Sequence, residues 1–278
     1  ADTLSGADQR PDGLARVEDR RLLTGRGQYV HDLQVPGMLH AVFVRSTYAC
    51  ARLRSLDLRA ARAGADVLAV IDSAQLGALT MPPANPLLPL QPLPDFPLLA
   101  RNRVDFLGQP IALVVARSLY AAQHAAELVD VDYDAETAQH DGAAGAPTVS
   151  RVRHQAGDRA HLKAVHKVQL VHQQARVISM SLEPRAMLAQ WCPKTALLTA
   201  WLGTQTPSRA RADIARCLGL ALTQVRVIAP DVGGAFGAKA SVAAEELVVA
   251  FAAHHLQASV KWTSSVRKSA SNRWPCRI

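Results

Sequence analysis

The sequence predicts an α/β (α+β) fold, in which strands and helices alternate in both halves of the chain. Residues 111–133 contain a continuous apolar run, a helical segment and a second short apolar run, which together indicate a strand–helix–strand unit. Residues 206–255 contain two helical segments on either side of another short apolar run. The chain has 278 residues, 49% of them hydrophobic and 19% charged, which is enough for one large globular domain or two ordinary ones.

The first half begins with a polar, glycine-bearing stretch. Residues 1–35 are predicted to be extended, and residues 1–19 form a lead-in to a first domain at 20–135. Residues 80–98 contain seven prolines, each of which fixes φ and removes a donor, so a long loop is predicted there. The other predicted elements are strands at 39–44, 67–71, 104–106, 111–115 and 129–133, a short helix capped by Asp72 or Ser73, and a helix capped by Ser118 that ends near Leu128.

The second half is separated from the first by a glycine- and alanine-rich stretch. Residues 136–150 are predicted to be a linker, with a domain boundary near residue 147 and a second domain at 151–262. Further predicted elements are extended stretches at 165–171, 196–201 and 224–229, and a helix that is capped by Ser241 and runs to about His255.

The helix before the last of these strands has well-marked ends. Thr206 is predicted as its N-cap, Pro207 occupies the first turn, and Gly219 stops it in a left-handed conformation. Ala210, Ile214, Cys217 and Leu218 fall on one face, while Arg209, Asp213 and Arg216 point elsewhere. Cys217 is therefore predicted to pack in the core.

The charge and the metal-binding residue types exclude several classes of site. The chain carries 31 Lys and Arg against 23 Asp and Glu, but the last 18 residues hold five basic and no acidic side chains. The basic, histidine-rich segment 151–167 is interpreted as a solvated face. No aromatic residue lies between Tyr133 and Trp191, so base stacking on nucleic acid is not expected. The four cysteines form no CxxC pair and the ten histidines form no HExxH pattern, so no protein-ligated metal is predicted.

The loop at 231–239, with the sequence DVGGAFGAK, is the strongest candidate site. Three glycines between a strand and a helix start allow backbone amides to approach an anion or an oxo group. The phosphate-loop and dinucleotide patterns both fail here, and a tight strand-to-helix connection stays an alternative. Gln205 ends another strand and could donate to a bound oxygen, or could be an ordinary turn residue. Phe236 could line a pocket or belong to the core.

Several segments in a fixed order carry a family resemblance. They include RVEDRRLLTGRGQYVHDL from Arg16, FLGQPIALVVA from Phe106, LEPRAMLAQW from Leu182, GTQTP around Gln205, and VRVIAPDVGGAFGAK ending at Lys239. Together they resemble the molybdopterin-binding large subunit of the xanthine dehydrogenase and aldehyde oxidase family. The resemblance implies an α/β hammerhead domain followed by the first part of a molybdopterin-binding domain.

The resemblance also implies a cofactor and the residues around it. Molybdenum-molybdopterin would lie beside Gln205, Gly233, Gly234, Ala235, Phe236 and Gly237, with Ala235 at a position where a third glycine is common. The chemistry implied is water-derived hydroxylation of an aldehyde or an N-heterocycle, with electrons leaving through iron–sulfur and flavin subunits. The resemblance implies that the family's glutamate base lies near the far C-terminus of the large subunit, in a region that this chain is not expected to contain. Glu245 and Glu246 are therefore interpreted as structural or solvated, and no catalytic residue is assigned.

Two departures from the family shape the functional expectation. Ala240 replaces an acid found in relatives that hydroxylate purines, so a purine substrate is not expected. Residues 263–278 match neither the family pattern nor a helix or strand period, and a change of reading frame is one hypothesis for them. The chain is accordingly expected to be a fragment without activity of its own. The alternatives are a non-enzymatic module that docks on iron–sulfur or flavin subunits, and a basic nucleic-acid binder. A cytoplasmic location without a membrane span is expected.

Overall fold

Ten strands and six helices make up the computed structural model, which describes residues 16–82, 96–138, 166, 168–172 and 179–264. The strands are β1 Leu39–Arg45, β2 Ala51–Asp57, β3 Val67–Ile71, β4 Arg103–Val104, β5 Pro110–Ala116, β6 Asp130–Ala135, β7 Ala186–Cys192, β8 Leu197–Leu202, β9 Val225–Ile228 and β10 Ser259–Thr263. The helices are α1 Asp19–Leu23, α2 Arg59–Arg62, α3 Ser73–Leu76, α4 Leu119–Glu127, α5 Pro207–Leu218 and α6 Ala244–Leu256.

A seven-stranded mixed sheet runs through both halves of the chain. Its order is β3-β5-β1-β10-β7-β8-β9, and a smaller sheet has the order β4-β2-β6. The two halves join where β1 pairs in parallel with β10, with Leu39 opposite Val260 and His40 opposite Lys261. The division into two domains stays a prediction, but strands from both sides of residue 147 share one sheet.

Strand β5 shows why the apolar runs do not alternate. All seven of its residues are buried. Leu113 and Val115 belong to a core that also contains residues of β7, β10 and α6, whereas Ala112 and Val114 pack on the opposite face toward α2 and α4. Because both faces of the strand are covered, an uninterrupted apolar sequence is what the fold requires.

Local sequence rules predict several element ends. Asp72 caps α3 by accepting hydrogen bonds from Ala74 N and Gln75 N, and Ser118 caps α4 by accepting from Ala121 N. Helix α5 begins at Pro207 and is followed by Gly219 with φ 67°, as expected. The half-buried Cys217 packs against the main core, which confirms the expected packing role.

Three expectations need correction. Residues 1–35 are not extended throughout, because α1 and a 3-10 turn at Val30–Asp32 form there and Val30 is fully buried. Thr206 occupies the N-cap position of α5 but makes no side-chain cap. Thr263, placed in the tail by the sequence, pairs with Ala186 in the sheet.

Other elements were missed or lie outside the described residues. Strands β2, β7 and β10 and helix α2 were not predicted, and the described residues at 166 and 168–172 form no strand. The linker at 139–150, most of the proline-rich loop, the basic segment 151–165 and the tail from residue 265 lie outside the described residues.

Candidate functional site

The backbone at the end of β8 is hydrogen-bonded to the end of the glycine loop. Gln205 N donates to Lys239 O at 3.0 Å, and Thr204 Oγ1 donates to the same oxygen at 3.3 Å. Thr206 Oγ1 donates to Ala240 O at 2.8 Å instead of capping its own helix. The Gln205 residue is exposed. The structure thus brings Gln205 and the loop together, although they are separated by more than 25 residues in the sequence.

Four successive backbone amides of the loop have no acceptor among the described residues. They belong to Gly234, Ala235, Phe236 and Gly237. The φ angles of Gly234, Phe236 and Gly237 are 95°, 50° and 82°, so the chain passes repeatedly through the left-handed region. Successive N–H groups in such a conformation form a concave surface that binds anions and oxygen ligands.

Phe236 is neither in the core nor enclosed. Its relative exposure is 73%, which excludes the core alternative. A non-glycine residue at positive φ is strained and persists where its surroundings determine its conformation. Gly237 and Ala238 beside it are also exposed, so the tip of the loop is accessible.

The amide of Gly233 already donates to Glu183 Oε2 at 2.9 Å, so the cofactor-binding role predicted for Gly233 stays a prediction that does not rest on this donor. One further expectation about the loop is wrong. The loop is not a tight connection that leads directly into a helix, because α6 begins only at Ala244. The N-terminus of α6 is capped by Glu246, whose Oε2 accepts from Ala243 N at 2.8 Å.

A buried ion pair lies directly beneath the loop. Lys239 Nζ lies 2.7 Å from Glu183 Oε2, and the two side chains are 1% and 9% exposed. Gly233 accommodates Glu183, because a Cβ at position 233 would lie 2.6 Å from the Glu183 Cβ. The backbones also pair, with Glu183 N donating to Gly233 O at 3.1 Å. Neither charge was predicted from the sequence to have a role.

Two arginines fasten the ends of the loop. Arg185 donates to Ala238 O, to Ser241 O at 3.0 Å and to Glu246 Oε1 at 2.7 Å. Arg21 binds Asp231 through two hydrogen bonds, one of them from Nη2 to Oδ1 at 2.6 Å. Arg185 belongs to the LEPRAMLAQW segment, which the sequence marked only as part of the family resemblance. No local pattern links either arginine to the loop.

The acids at the start of α6 are structural. Glu245 is 4% exposed and its Oε1 lies 2.7 Å from Arg45 Nη1. Glu246 is fully buried and pairs with Arg185. The structural interpretation is therefore confirmed and solvation is wrong. Removing one partner of such a buried pair is strongly destabilising, because it leaves the other charge without compensation.

The described residues contain no second candidate centre of comparable chemistry. A cleft of about 450 Å³ lies elsewhere, on the β1–β10 side of the large sheet, and is lined in part by His31, His40, Phe43, Lys261 and Trp262. Burial, and then the charge of Lys261, lower the pKa of His40. In the described ranges no group of three His, Cys, Asp or Glu side chains could hold a metal ion. None of the described helices has the length and apolar character to cross a membrane.

Comparisons with known proteins define the class of the chain. The model of the aldehyde oxidase and xanthine dehydrogenase a/b hammerhead domain matches residues 24–137, and the model of the molybdopterin cofactor-binding domain matches residues 142–273. The fold is therefore a hammerhead domain followed by part of a molybdopterin-binding domain, as the sequence predicted.

Relatives extend across nearly the whole chain. The nicotine 6-hydroxylase large subunit of Paenarthrobacter nicotinovorans is 34% identical over 275 residues, covering 92% of this chain and 33% of that protein. The carbon monoxide dehydrogenase large chain of Afipia carboxidovorans is 32% identical, and the match covers 92% of this chain and 35% of that protein. Quinoline 2-oxidoreductase from Pseudomonas putida 86 superimposes with a TM-score of 0.81 at 32% identity, covering 92% and 34%.

The chain belongs to the family of molybdopterin-binding large subunits that includes the aldehyde oxidases and xanthine dehydrogenases. Molybdenum-molybdopterin is the cofactor of this family. The chain spans about a third of the length of the curated relatives it matches.

Proposed function

We propose that this chain forms one wall of the cofactor site of a molybdenum hydroxylase large subunit. In this proposal the amides of residues 234–237 and the side chain of Gln205 donate to oxygen ligands of the molybdenum centre. The observation that carries the proposal is the run of four amides at 234–237 that have no acceptor among the described residues, in a loop whose last residue, Lys239, accepts a hydrogen bond from Gln205 N. Neutral donors held in a fixed array suit oxo ligands, because they stabilise negative charge without reorganising.

The loop geometry fits such a group. Backbone donors need a close approach, and the positive φ of Gly234 and Gly237 turns their N–H groups without placing a side chain between them and a ligand. The exposed ring of Phe236 would form a side wall against the cofactor. When bound, the cofactor supplies water-derived hydroxylation of an aldehyde or an N-heterocycle, and the chain's own residues bind and orient it.

No catalytic base is assigned to the described residues. Glu183, Asp231 and Glu246 are the described acids that bond to the loop or its flanks, and each is engaged by a cation. A general base must reach the proton it removes. We therefore propose that hydroxylation requires residues beyond those described, and that this chain does not turn over substrate alone.

The proposal includes partners and a substrate class. Two relatives are named as a large subunit and a large chain, which supports further subunits, and iron–sulfur and flavin subunits would carry the electrons away. The names of a nicotine hydroxylase and a quinoline oxidoreductase support an N-heterocycle as substrate. Three free cysteines among the described residues support a reducing, cytoplasmic location.

A matched pair of glycine variants tests the cofactor proposal. Gly237 and Gly219 both have positive φ, of 82° and 67°, and an added Cβ would meet nothing within 4 Å at either position. Both Gly237→Ala and Gly219→Ala should therefore destabilise the chain by a similar amount, on the order of 1 kcal/mol. Only Gly237→Ala places a methyl group at the proposed cofactor wall.

The measurement is the molybdenum and pterin content of the full chain, purified from cells that make the cofactor. Gly237→Ala should retain at least about tenfold less cofactor than the wild type, whereas Gly219→Ala should match the wild type. Equal retention by the two variants, or no pterin bound to the wild type, would show that the loop is not the cofactor wall.

A further inference from the structure

The Glu183–Lys239 pair is unusual in its placement as well as its burial. The pair joins the glycine loop to the segment before β7, at the 2.7 Å distance of a charge-assisted hydrogen bond. One carboxylate oxygen, Glu183 Oε2, accepts both from Lys239 Nζ and from Gly233 N. A single side chain therefore bonds to residues on both sides of the four free amides.

The backbone packs closely around the pair. At Gly203 an added Cβ would lie 3.2 Å from Glu183 Oε2 and 3.4 Å from Lys239 Nζ. The carbonyl of Lys239 accepts from Gln205 N at 3.0 Å. The side chain of Lys239 thus fixes one side of the loop to Glu183, while its backbone fixes the same residue to the strand end that carries Gln205.

Stability alone does not explain these charges. Replacing a buried ion pair by apolar side chains of similar size is often neutral or stabilising, since each charge must be desolvated. The other carboxylate oxygen, Glu183 Oε1, is buried without a hydrogen-bond partner in the described structure, which adds a further cost. The pair sets a defined distance and direction between the glycine loop and the segment before β7, which no helix or strand connects directly.

We propose that Glu183 and Lys239 are positioning residues, which set the four loop amides relative to Gln205. That these amides serve a cofactor rests on the proposed function, whereas the positioning itself does not. Neither residue is proposed to contact the reacting atoms. Gly233 supports the same arrangement, because a Cβ at this position would lie 2.6 Å from Glu183 Cβ and force the pair to shift.

Amide hydrogen exchange in the full, cofactor-free chain tests the positioning directly. The reporters are the hydrogen-bonded amides of Gln205, Ala238 and Ala240, which bond to Lys239 O, Ala235 O and Gly237 O. The variant is the double substitution Glu183→Gln with Lys239→Met, which removes both charges together and leaves none buried alone.

A second buried pair provides the matched control. Arg45 and Glu245 also lie 2.7 Å apart and are 8% and 6% exposed, and Arg45 also donates to Gly108 O at 3.0 Å, in the segment before β5. The control variant is Glu245→Gln with Arg45→Met. The reporter amides should exchange at least about tenfold faster in the Glu183 variant and within about twofold of the wild type in the control.

Thermal unfolding separates local loosening from general loss of stability. Faster reporter exchange with a wild-type thermal midpoint supports positioning, because a role in overall stability alone would not change the loop selectively. Reporter exchange at the wild-type rate, or equal acceleration in the control, overturns it. If the double variant does not fold, the same exchange measurement is made on Glu183→Gln alone, which keeps the side-chain shape. Faster reporter exchange again supports positioning, and exchange at the wild-type rate again overturns it. A failure to bind cofactor would contradict the proposed function without changing these exchange rates.

Discussion

Asp231 fastens the segment before β1 to the first residue of the glycine loop. Its carboxylate accepts from Arg21 and from Gln28 N, and its own amide donates to Gln28 O at 3.0 Å. The hydrogen bond from Arg21, and then that from Gln28, lower the pKa of Asp231 from 3.8 to about 2. A carboxyl group with a pKa below its unfolded value stabilises the folded state wherever it is ionised.

The Asp231 contacts predict a defined pH dependence. Asp231→Asn should lower the free energy of unfolding at pH 7. Because the folded pKa is depressed, the wild type's advantage should be complete above about pH 4 and should be lost as the pH falls toward 2. Denaturant unfolding of both proteins at pH 7, 4 and 2.5 measures the difference.

Asp134 supplies the control for this prediction. Its carboxylate forms a pair with Arg54 in which the two side chains are 52% and 59% exposed. Asp134→Asn should change stability by less than about 1 kcal/mol at pH 7. A pH-independent difference between the wild type and Asp231→Asn would contradict the assignment.

At the scale of single residues, the sequence predicted the hydrogen-bond donors of the site but not the buried ion pair beneath them. Gln205 and the glycine loop were marked by a strand end and by glycine spacing, which are local features. Glu183 and Lys239 could not be paired from the sequence, because their contact depends on how β7 and β8 place two distant segments. Gly233 was expected to serve a ligand, and only the fold shows that Glu183 already uses its amide.

At the scale of helices, the predicted ends were correct where the neighbouring residues determine them. Pro207 and Gly219 bound α5 because a missing donor and a left-handed conformation act on the backbone directly. Helix α6 was expected to be capped by Ser241 but starts at Ala244. Its start is set by Glu246, which caps Ala243 N and is itself held by Arg185 from a distant segment.

Removing the Glu246 carboxylate should therefore destabilise the start of α6. Glu246→Ala should lower the free energy of unfolding by about 3 kcal/mol, since Arg185 loses its carboxylate partner and the Ala243 amide loses its acceptor. The exposed Asp134→Ala should cost less than about 1 kcal/mol. Urea unfolding followed by circular dichroism gives both values. A loss below about 1 kcal/mol for Glu246→Ala would show that the cap does not determine the helix start.

At the scale of the whole molecule, the two halves share a sheet and a core. Phe43 of β1 contacts Trp262 of β10 edge to face, with ring centroids 5.5 Å apart, and both rings are buried. The sequence indicated strands in each half but not their order, because a parallel pair such as β1 with β10 is separated by more than 200 residues. Such long-range pairing leaves no periodicity in the sequence.

Trp262 should accordingly stabilise both halves. Trp262→Ala should cost about 3–5 kcal/mol, from lost burial and the cavity left behind. Hydrogen exchange should then accelerate in β5 as well as in β7. Tyr120→Ala, at a residue that is 80% exposed on α4, should change stability by less than about 0.5 kcal/mol. Unchanged protection of β5 would mean that the halves unfold independently.

The most direct test of the central claim is a titration of the isotope-labelled chain with molybdate, followed by solution NMR. Molybdate presents oxygen acceptors of the kind proposed for the cofactor. The amides of residues 234–237 and the side-chain amide of Gln205 should show the largest shift changes, and Gly237→Ala should weaken them while Gly219→Ala does not. Shift changes confined to other regions, or none in this loop, would contradict the account.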